Sequence, residues 1–258
     1  MKKTLLRCAV FGFATLAGVS VLSSESRAQT PPTPVDIELS LIIDVSGSIS
    51  GSEYNLQMDG YASAFRQQAV IDRITGSTNG IAVNAVFFAS SASEGIAYTH
   101  LQTEADVLQF ADTLDNFARP GSGGTNVAQG MQVGLDSLLN NDFDGTTLIM
   151  DVSGDGSGGT GSAAASVRDD ALANGVDRIN AVAIESEFVR QAFEDSVIAG
   201  PNSFALLASD FSEFETAIGR KIRAEVGGGD PVPVPGSLLL LGGGLLGLGA
   251  FAARRKGA

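Results

Sequence analysis

Three short stretches of this 258-residue chain carry the residue types that hold a hard metal ion. The first is Asp44-Val45-Ser46-Gly47-Ser48, a carboxylate followed by two hydroxyls at alternate positions. The second is the glycine-rich loop Gly121-Ser122-Gly123-Gly124-Thr125-Asn126, and the third is Ser153-Gly154-Asp155-Gly156. Each alone is ordinary turn and cap chemistry, because Asp, Ser and Thr readily bond their own backbone. Brought to one place they offer two carboxylates and three hydroxyls. These are hard oxygen donors, suited to Mg²⁺, Mn²⁺ or Ca²⁺ and not to a soft metal. Other chemistries are short of parts. The only histidine is His100 and the only cysteine is Cys8, so a His-based zinc site, a thiol nucleophile or a Ser-His-Asp triad has almost nothing to draw on.

The elements around these loops alternate between strand and helix patterns. Asp36–Val45 is apolar and too short for a helix, and Ile81–Phe88, Ile96–Leu101, Thr147–Val152, Ile179–Ile184 and Phe204–Leu207 read as further strands. Ser50-x-x-Glu53 is a capping-box pattern, after which Tyr54, Met58, Tyr61 and Phe65 recur at helical spacing. Helices are also predicted over Glu104–Phe117, from Val127 through Leu138, around Val167–Asn174 and near Val189–Val197. A last one carries Phe211, Phe214, Ile218 and Ile222 on one face. Near-continuous apolar strands alternating with helices predict an α/β fold, doubly wound, with a mostly parallel central sheet and helices on both faces. Ligands of such sheets sit beyond the carboxyl ends of the strands, where two of the three donor loops begin.

At these residues the chain resembles the von Willebrand factor type A domain over about Asp36–Val226. Its metal-ion-dependent adhesion site, or MIDAS, is Asp-x-Ser-x-Ser followed by a later Thr and a later Asp. The resemblance is closest to a bacterial secreted subfamily of unknown function, through Asp44–Ser48, Gly123–Thr125, Asp151–Gly156, Gly200-Pro201 and the terminal helix of Asp210–Ile222. It implies Asp44, Ser46, Ser48, Thr125 and Asp155 as metal ligands and a divalent cation, foremost Mg²⁺, as cofactor. It further implies a binding module whose metal keeps one position open for an acidic group of a partner, a protein or an acidic polysaccharide.

Both ends read as addresses. Met1–Ala28 has a basic start, the apolar run Cys8–Leu22 and a small-x-small end at Ser26-Arg27-Ala28, the pattern of a secretory signal. At the other end, Pro231-Val232-Pro233-Val234-Pro235 precedes the uncharged Ser237–Ala253 and then Arg254-Arg255-Lys256. That order resembles the Pro-Glu-Pro type of sorting tail, with Val234 in place of the Glu. The resemblance implies removal by an exosortase-type membrane protease after transient anchoring. The organisation read is signal peptide 1–28, linker 29–35, type A-like domain 36–226, Gly/Pro linker and sorting motif 227–236, short transmembrane segment 237–253 and basic cytoplasmic tail 254–258.

Net charge is −13, and with residues 1–28 and 254–256 set aside the body holds nine bases against 28 acids. Such a body is repelled by polyphosphate, which excludes sequence-general nucleic-acid binding. Two further motifs are read as decoys. Gly156–Gly161 fits a dinucleotide fingerprint but does not follow the first strand, and a flexible linker accounts for it better. Asn140-x-Asp142-x-Asp144-Gly145 with Asp151 mimics an EF-hand loop, yet its second half must be strand, so a helix-to-strand turn is preferred. The leading functional expectation is an exported, non-catalytic adhesion module. The alternatives are a structural extracellular-matrix component with a stabilising metal and, third, a secreted enzyme.

Overall fold

In the computed structural model, which describes residues 31–227, the first strand is β1, Thr33–Asp44. Its flanks are β2 (Ile81–Phe88) and β4 (Phe143–Gly154), both parallel to it. Beyond β2 lies the antiparallel β3 (Ala92–Leu101), and beyond β4 lie the parallel β5 (Arg178–Ile184) and β6 (Ala205–Ala208), giving the order β3-β2-β1-β4-β5-β6. The chain builds outward from β1 in one direction, then crosses back and builds in the other. The divergence between β1 and β4 is the topological switch point, where loops splay apart at the carboxyl ends and leave a crevice. Asp44 ends one of these strands, and Asp155 follows the other.

Helices cover both faces, as expected. One face carries α1 (Gly51–Arg66), α2 (Gln68–Thr75), α3 (Glu104–Asp115) and α7 (Phe211–Gly227); the other carries α4 (Val127–Leu139), α5 (Ser162–Ala173) and α6 (Glu187–Ser196). Alternation along β1 divides the core: Leu39, Leu41 and Ile43 pack with Tyr61, Phe65 and Phe214, while Ile42 packs with Val86, Met131 and Val152 on the reverse. The predicted capping box at the head of α1 is formed, with Ser50 Oγ accepting from Glu53 N and Glu53 answering on Ser50 N at 2.7 Å.

Several boundaries differ from the sequence reading. β1 and β4 each begin earlier than expected, because Thr33–Val35 pairs with Phe143–Gly145 through backbone bonds that need no apolar side chains. β3 starts four residues before Ile96. Phe117 lies outside α3, stacked on Phe87. α5 begins five residues before Val167, its alanine-rich first turns giving no periodic signal. α2 was not anticipated: Gln67 turns extended and breaks the helix without Gly or Pro, and Val70, Ile71 and Ile74 re-enter the core. The EF-hand mimic is a helix-to-strand turn, and its would-be last ligand Asp151 faces elsewhere.

Asp151 belongs to a buried ionic cluster. Lys221 of α7 pairs with Asp151 of β4 and, at 3.2 Å, with Glu225 one turn along its own helix. Asn180 of β5 donates to Glu225 Oε1 at 2.8 Å. All four side chains are shut off from solvent. Two carboxylates against one ammonium leave the cluster one proton short of neutrality.

Candidate metal centre

Parallel β1 delivers Asp44 to its carboxyl end fully buried. The backbone then turns, and Ser46 N donates to Asp44 Oδ1 at 2.7 Å. Ser46 Oγ lies 3.2 Å from Ser48 Oγ, and Ser48 Oγ donates to Asp155 Oδ1 at 2.8 Å. A single hydrogen-bonded run therefore links the first loop to the third. Thr125 reaches the same place from the second loop. A side chain on Gly156 would begin 2.8 Å from Thr125 Oγ1, so Thr125 faces the residue next to Asp155. All five residues singled out in the sequence are thus on neighbouring loops at one end of the sheet, four of them in one hydrogen-bonded run.

Backbone bonds hold these loops together. Gly47 N donates to Gly123 O at 2.7 Å, and Val127 N donates to Gly158 O at 2.9 Å. The glycine-rich stretch after Asp155 is therefore not the free linker expected from its composition. It packs down on Thr125 and Asn126, with its glycines permitting the close approach.

Two observations bear on whether a cation fits. Asp44 Oδ2 is buried and has no hydrogen-bond partner, an expensive state for a carboxylate oxygen. Beside it, Gly154 has no side chain, and a Cβ there would stand 2.7 Å from Oδ2. The orphaned oxygen can lie this close to the β4 backbone because residue 154 is glycine. Burial pushes the Asp44 carboxyl up to about 7, the Asp155 charge adds to the rise, and Ser46 and Arg119 pull against it. A cation beside Oδ2 would supply the missing partner. Among the described residues no group of three His, Cys, Asp or Glu could hold a metal. A cation here must therefore rely on hydroxyls, as this donor set does.

The sequence reading missed three supporting residues. Arg119 donates to Val45 O at 2.8 Å and Ser46 O at 2.7 Å, and its guanidinium lies 5.9 Å from the centre of the Tyr54 ring. Its signal was a lone base at the head of an otherwise uncharged, glycine-rich loop. Gln57 Nε2 holds Asp44 O at 3.0 Å, and Ser90 Oγ accepts from Gly124 N at 2.7 Å. Nothing in their local sequence marks either one. His100 is remote from this set; its Nε2 lies 2.7 Å from Asn79 O.

A family model described as "Protein of unknown function (DUF1194)" matches residues 34–230, and a model of the PEP-CTERM protein-sorting motif matches residues 231–256. No curated protein matches the chain. Among solved structures, proximal thread matrix protein 1 of the mussel byssus, in a form described as having a zinc-occupied MIDAS motif, superposes with a TM-score of 0.58. It is 18% identical, over 76% of this chain and 48% of that one. The pilus adhesin SpaC from Lactobacillus rhamnosus GG gives 0.57 at 14% identity, over 75% of this chain and 30% of its own. The PilB minor pilin from Streptococcus sanguinis gives 0.55 at 13%, over 77% and 63%. At these identities the likeness shows the fold, and this chain spans less than two thirds of each of those proteins. The sorting motif marks the chain for export and membrane-associated surface display. The signal peptide, transmembrane segment and basic tail read from the sequence lie outside the described residues. Among the described residues no helix is long and apolar enough to cross a membrane. With a family match over most of its length, the sheet order of a type A fold and a sorting motif behind it, the chain belongs to the DUF1194 family, a von Willebrand factor type A-like family, and carries a PEP-CTERM tail.

Proposed function

We propose that this protein is an exported, non-catalytic binding module that engages an acidic group of a partner through a divalent cation held by Asp44, Ser46, Ser48, Thr125 and Asp155. The observation that carries the reading is the buried, unpartnered Asp44 Oδ2, at the end of the run of hydrogen bonds that joins Ser46, Ser48 and Asp155. Mg²⁺ is the foremost candidate, with Mn²⁺ and Ca²⁺ compatible with the same oxygen donors. A bound divalent cation would supply positive charge that two carboxylates and three neutral hydroxyls do not fully offset, and so attract an outside carboxylate. That carboxylate would come from a protein or an acidic polysaccharide. Adhesion and matrix proteins among the solved structures of the same fold are consistent with such a role.

This chain's own residues would divide the work. Asp44 supplies the buried charge, Ser46 N–H orients it, and Asp155 fixes the Ser48 hydroxyl. Arg119 ties down the backbone between Asp44 and Gly47. Because Gly47–Gly123, Ser48–Asp155 and Val127–Gly158 already tie the loops, cation binding is not needed to assemble them. That favours the binding role over a matrix component whose cation serves only stability. We further propose the organisation 1–28 signal peptide, 29–35 linker, 36–226 type A-like domain and 227–258 sorting region, with the tail a transient anchor removed by an exosortase-type enzyme.

Calorimetry with Mg²⁺ and Mn²⁺ on wild type and Asp44→Ala tests the site. Wild type should give heat and a thermal shift, and Asp44→Ala neither. Equal heats and equal shifts from both proteins would place the site elsewhere.

A further inference from the structure

We propose that a cavity beside α6, separate from the cation site, receives a long basic side chain, Lys or Arg, of a partner protein. The cavity is about 250 Å³. Thr160 and Gly161 form one wall, and Phe188, Gln191, Ala192 and Asp195 of α6 form the other. It is small for a cofactor site, which typically needs about 300–1,000 Å³.

Three features of α6 specify the occupant. Val189, Phe193 and Ser196 are the residues the helix turns into the body, and Phe188 lies off that stripe, 74% exposed. Folding does not require an aromatic ring there. On the same side, seven residues on, the exposed Asp195 carboxylate accepts from Gln191 Nε2 at 2.9 Å through Oδ1, which leaves further lone pairs for an incoming donor. The nearest bases do not cancel its charge. Arg190 is paired with Glu187 and Glu194, and Arg168 is engaged by Asp169 and by the Asp195 backbone carbonyl.

An aromatic wall and a carboxylate in one small cavity match a Lys or Arg side chain, whose stem covers the ring while its charged head meets the acid. A purely apolar occupant would strip water from Asp195 without replacing its hydrogen bonds. An anion would meet that carboxylate directly. The charge balance of the exported body, nine bases against 28 acids, draws a cationic segment toward this surface from a distance.

The probes are N-acetyl-arginine amide and N-acetyl-lysine amide, titrated into the full chain with and without Mg²⁺ and followed by amide NMR shifts. The basic probes should move signals of Gly161, Gln191, Ala192 and Asp195 equally in both conditions, with millimolar affinity. Asp195→Asn should weaken binding by about two- to fivefold, and Phe188→Ala should do the same, as exposed cation contacts with rings and carboxylates are of that size. Both substituted residues are exposed, so both variants should melt like wild type. N-acetyl-leucine amide should leave these signals unmoved. Leucine amide binding as well as arginine amide would overturn the proposal in favour of a plain apolar pocket. No shifts with any probe, or concentration-dependent self-association lost in Phe188→Ala, would overturn it as well. Because the cavity does not rest on the cation site, none of these outcomes depends on whether Asp44 binds metal.

Discussion

The cluster of Asp151, Lys221 and Glu225 predicts an unusual pH profile, and Glu225→Gln isolates it. Burial is the main cause that pushes the Glu225 carboxyl up to about 8, and the facing Asp151 charge adds to it; Lys221 and the Asn180 hydrogen bond oppose the rise. Tyr61 of α1, the other ionisable neighbour, is itself held well above its ordinary range by burial, then by Asp151. In the unfolded chain Glu225 titrates near its ordinary value of 4.5. Between those two points the folded state holds a proton that the unfolded state has released. The stability contributed is therefore fully present below the unfolded value and is lost as pH rises through the folded one. The slope is about 1.4 kcal/mol per pH unit. Raising the pH from 5 to 7.5 should therefore remove about 3 kcal/mol, or about 6–12 °C of melting temperature for a body of this size. Glu225→Gln keeps an oxygen for Asn180 and leaves one ammonium facing one carboxylate. Its melting temperature should fall less over the same range, and by pH 8 it should equal or exceed wild type. Thermal melts of both proteins at half-unit pH steps, in chelator, make the comparison. Groups remote from the cluster titrate alike in both proteins and cancel in the difference. Parallel profiles would show that Glu225 is ionised in the folded protein and would refute the reasoning.

Four other outcomes follow from the site and the tail. Asp44→Ala should lose divalent binding yet melt no lower than wild type without metal, since it removes a buried carboxylate with an orphaned oxygen; a drop of several degrees in chelator would contradict this. Gly154→Ala places a methyl 2.7 Å from Asp44 Oδ2, and cation affinity measured by calorimetry should fall about fivefold or more, the size of a 1–3 kcal/mol overpacking cost. Arg119→Met removes two charge-assisted bonds to Val45 and Ser46 carbonyls and should cost about 2–3 kcal/mol in denaturant titration, while cation affinity holds or rises because a nearby positive charge is gone. For the tail, intact mass of the protein from a host with the matching protease should lack Leu238–Ala258; a full-length mass on the exported protein would leave only a plain anchor.

Much of this protein was legible without coordinates, and the reason is periodicity. Parallel strands buried on both faces must read as apolar runs, so Ile81–Phe88 and Ile179–Ile184 were found almost to the residue. Once the order of strands and helices implies a doubly wound sheet, its carboxyl edge is where donors gather. Asp44, Ser46, Ser48 and Asp155 are in fact joined there by hydrogen bonds. Local chemistry likewise announced the Ser50 capping box.

What the sequence did not show depends on which side chains meet across elements. In the last helix the apolar positions Phe214, Ile218 and Ile222 identified the buried face, but Lys221 and Glu225 are buried too, and nothing in the local sequence marks them. Only the packing of α7 onto β4 and β5 gives them Asp151 and Asn180 as partners. Gly154 and Gly156 carry the same lesson. In sequence they are two of 32 glycines; in the fold their missing side chains let the oxygens of Asp44 and Thr125 pack close against the backbone. Sequence periodicity reports which way a residue points within its own element. Whether a buried charge is paired, or an oxygen left open, is decided by neighbours distant in the chain, and only the tertiary structure brings them together.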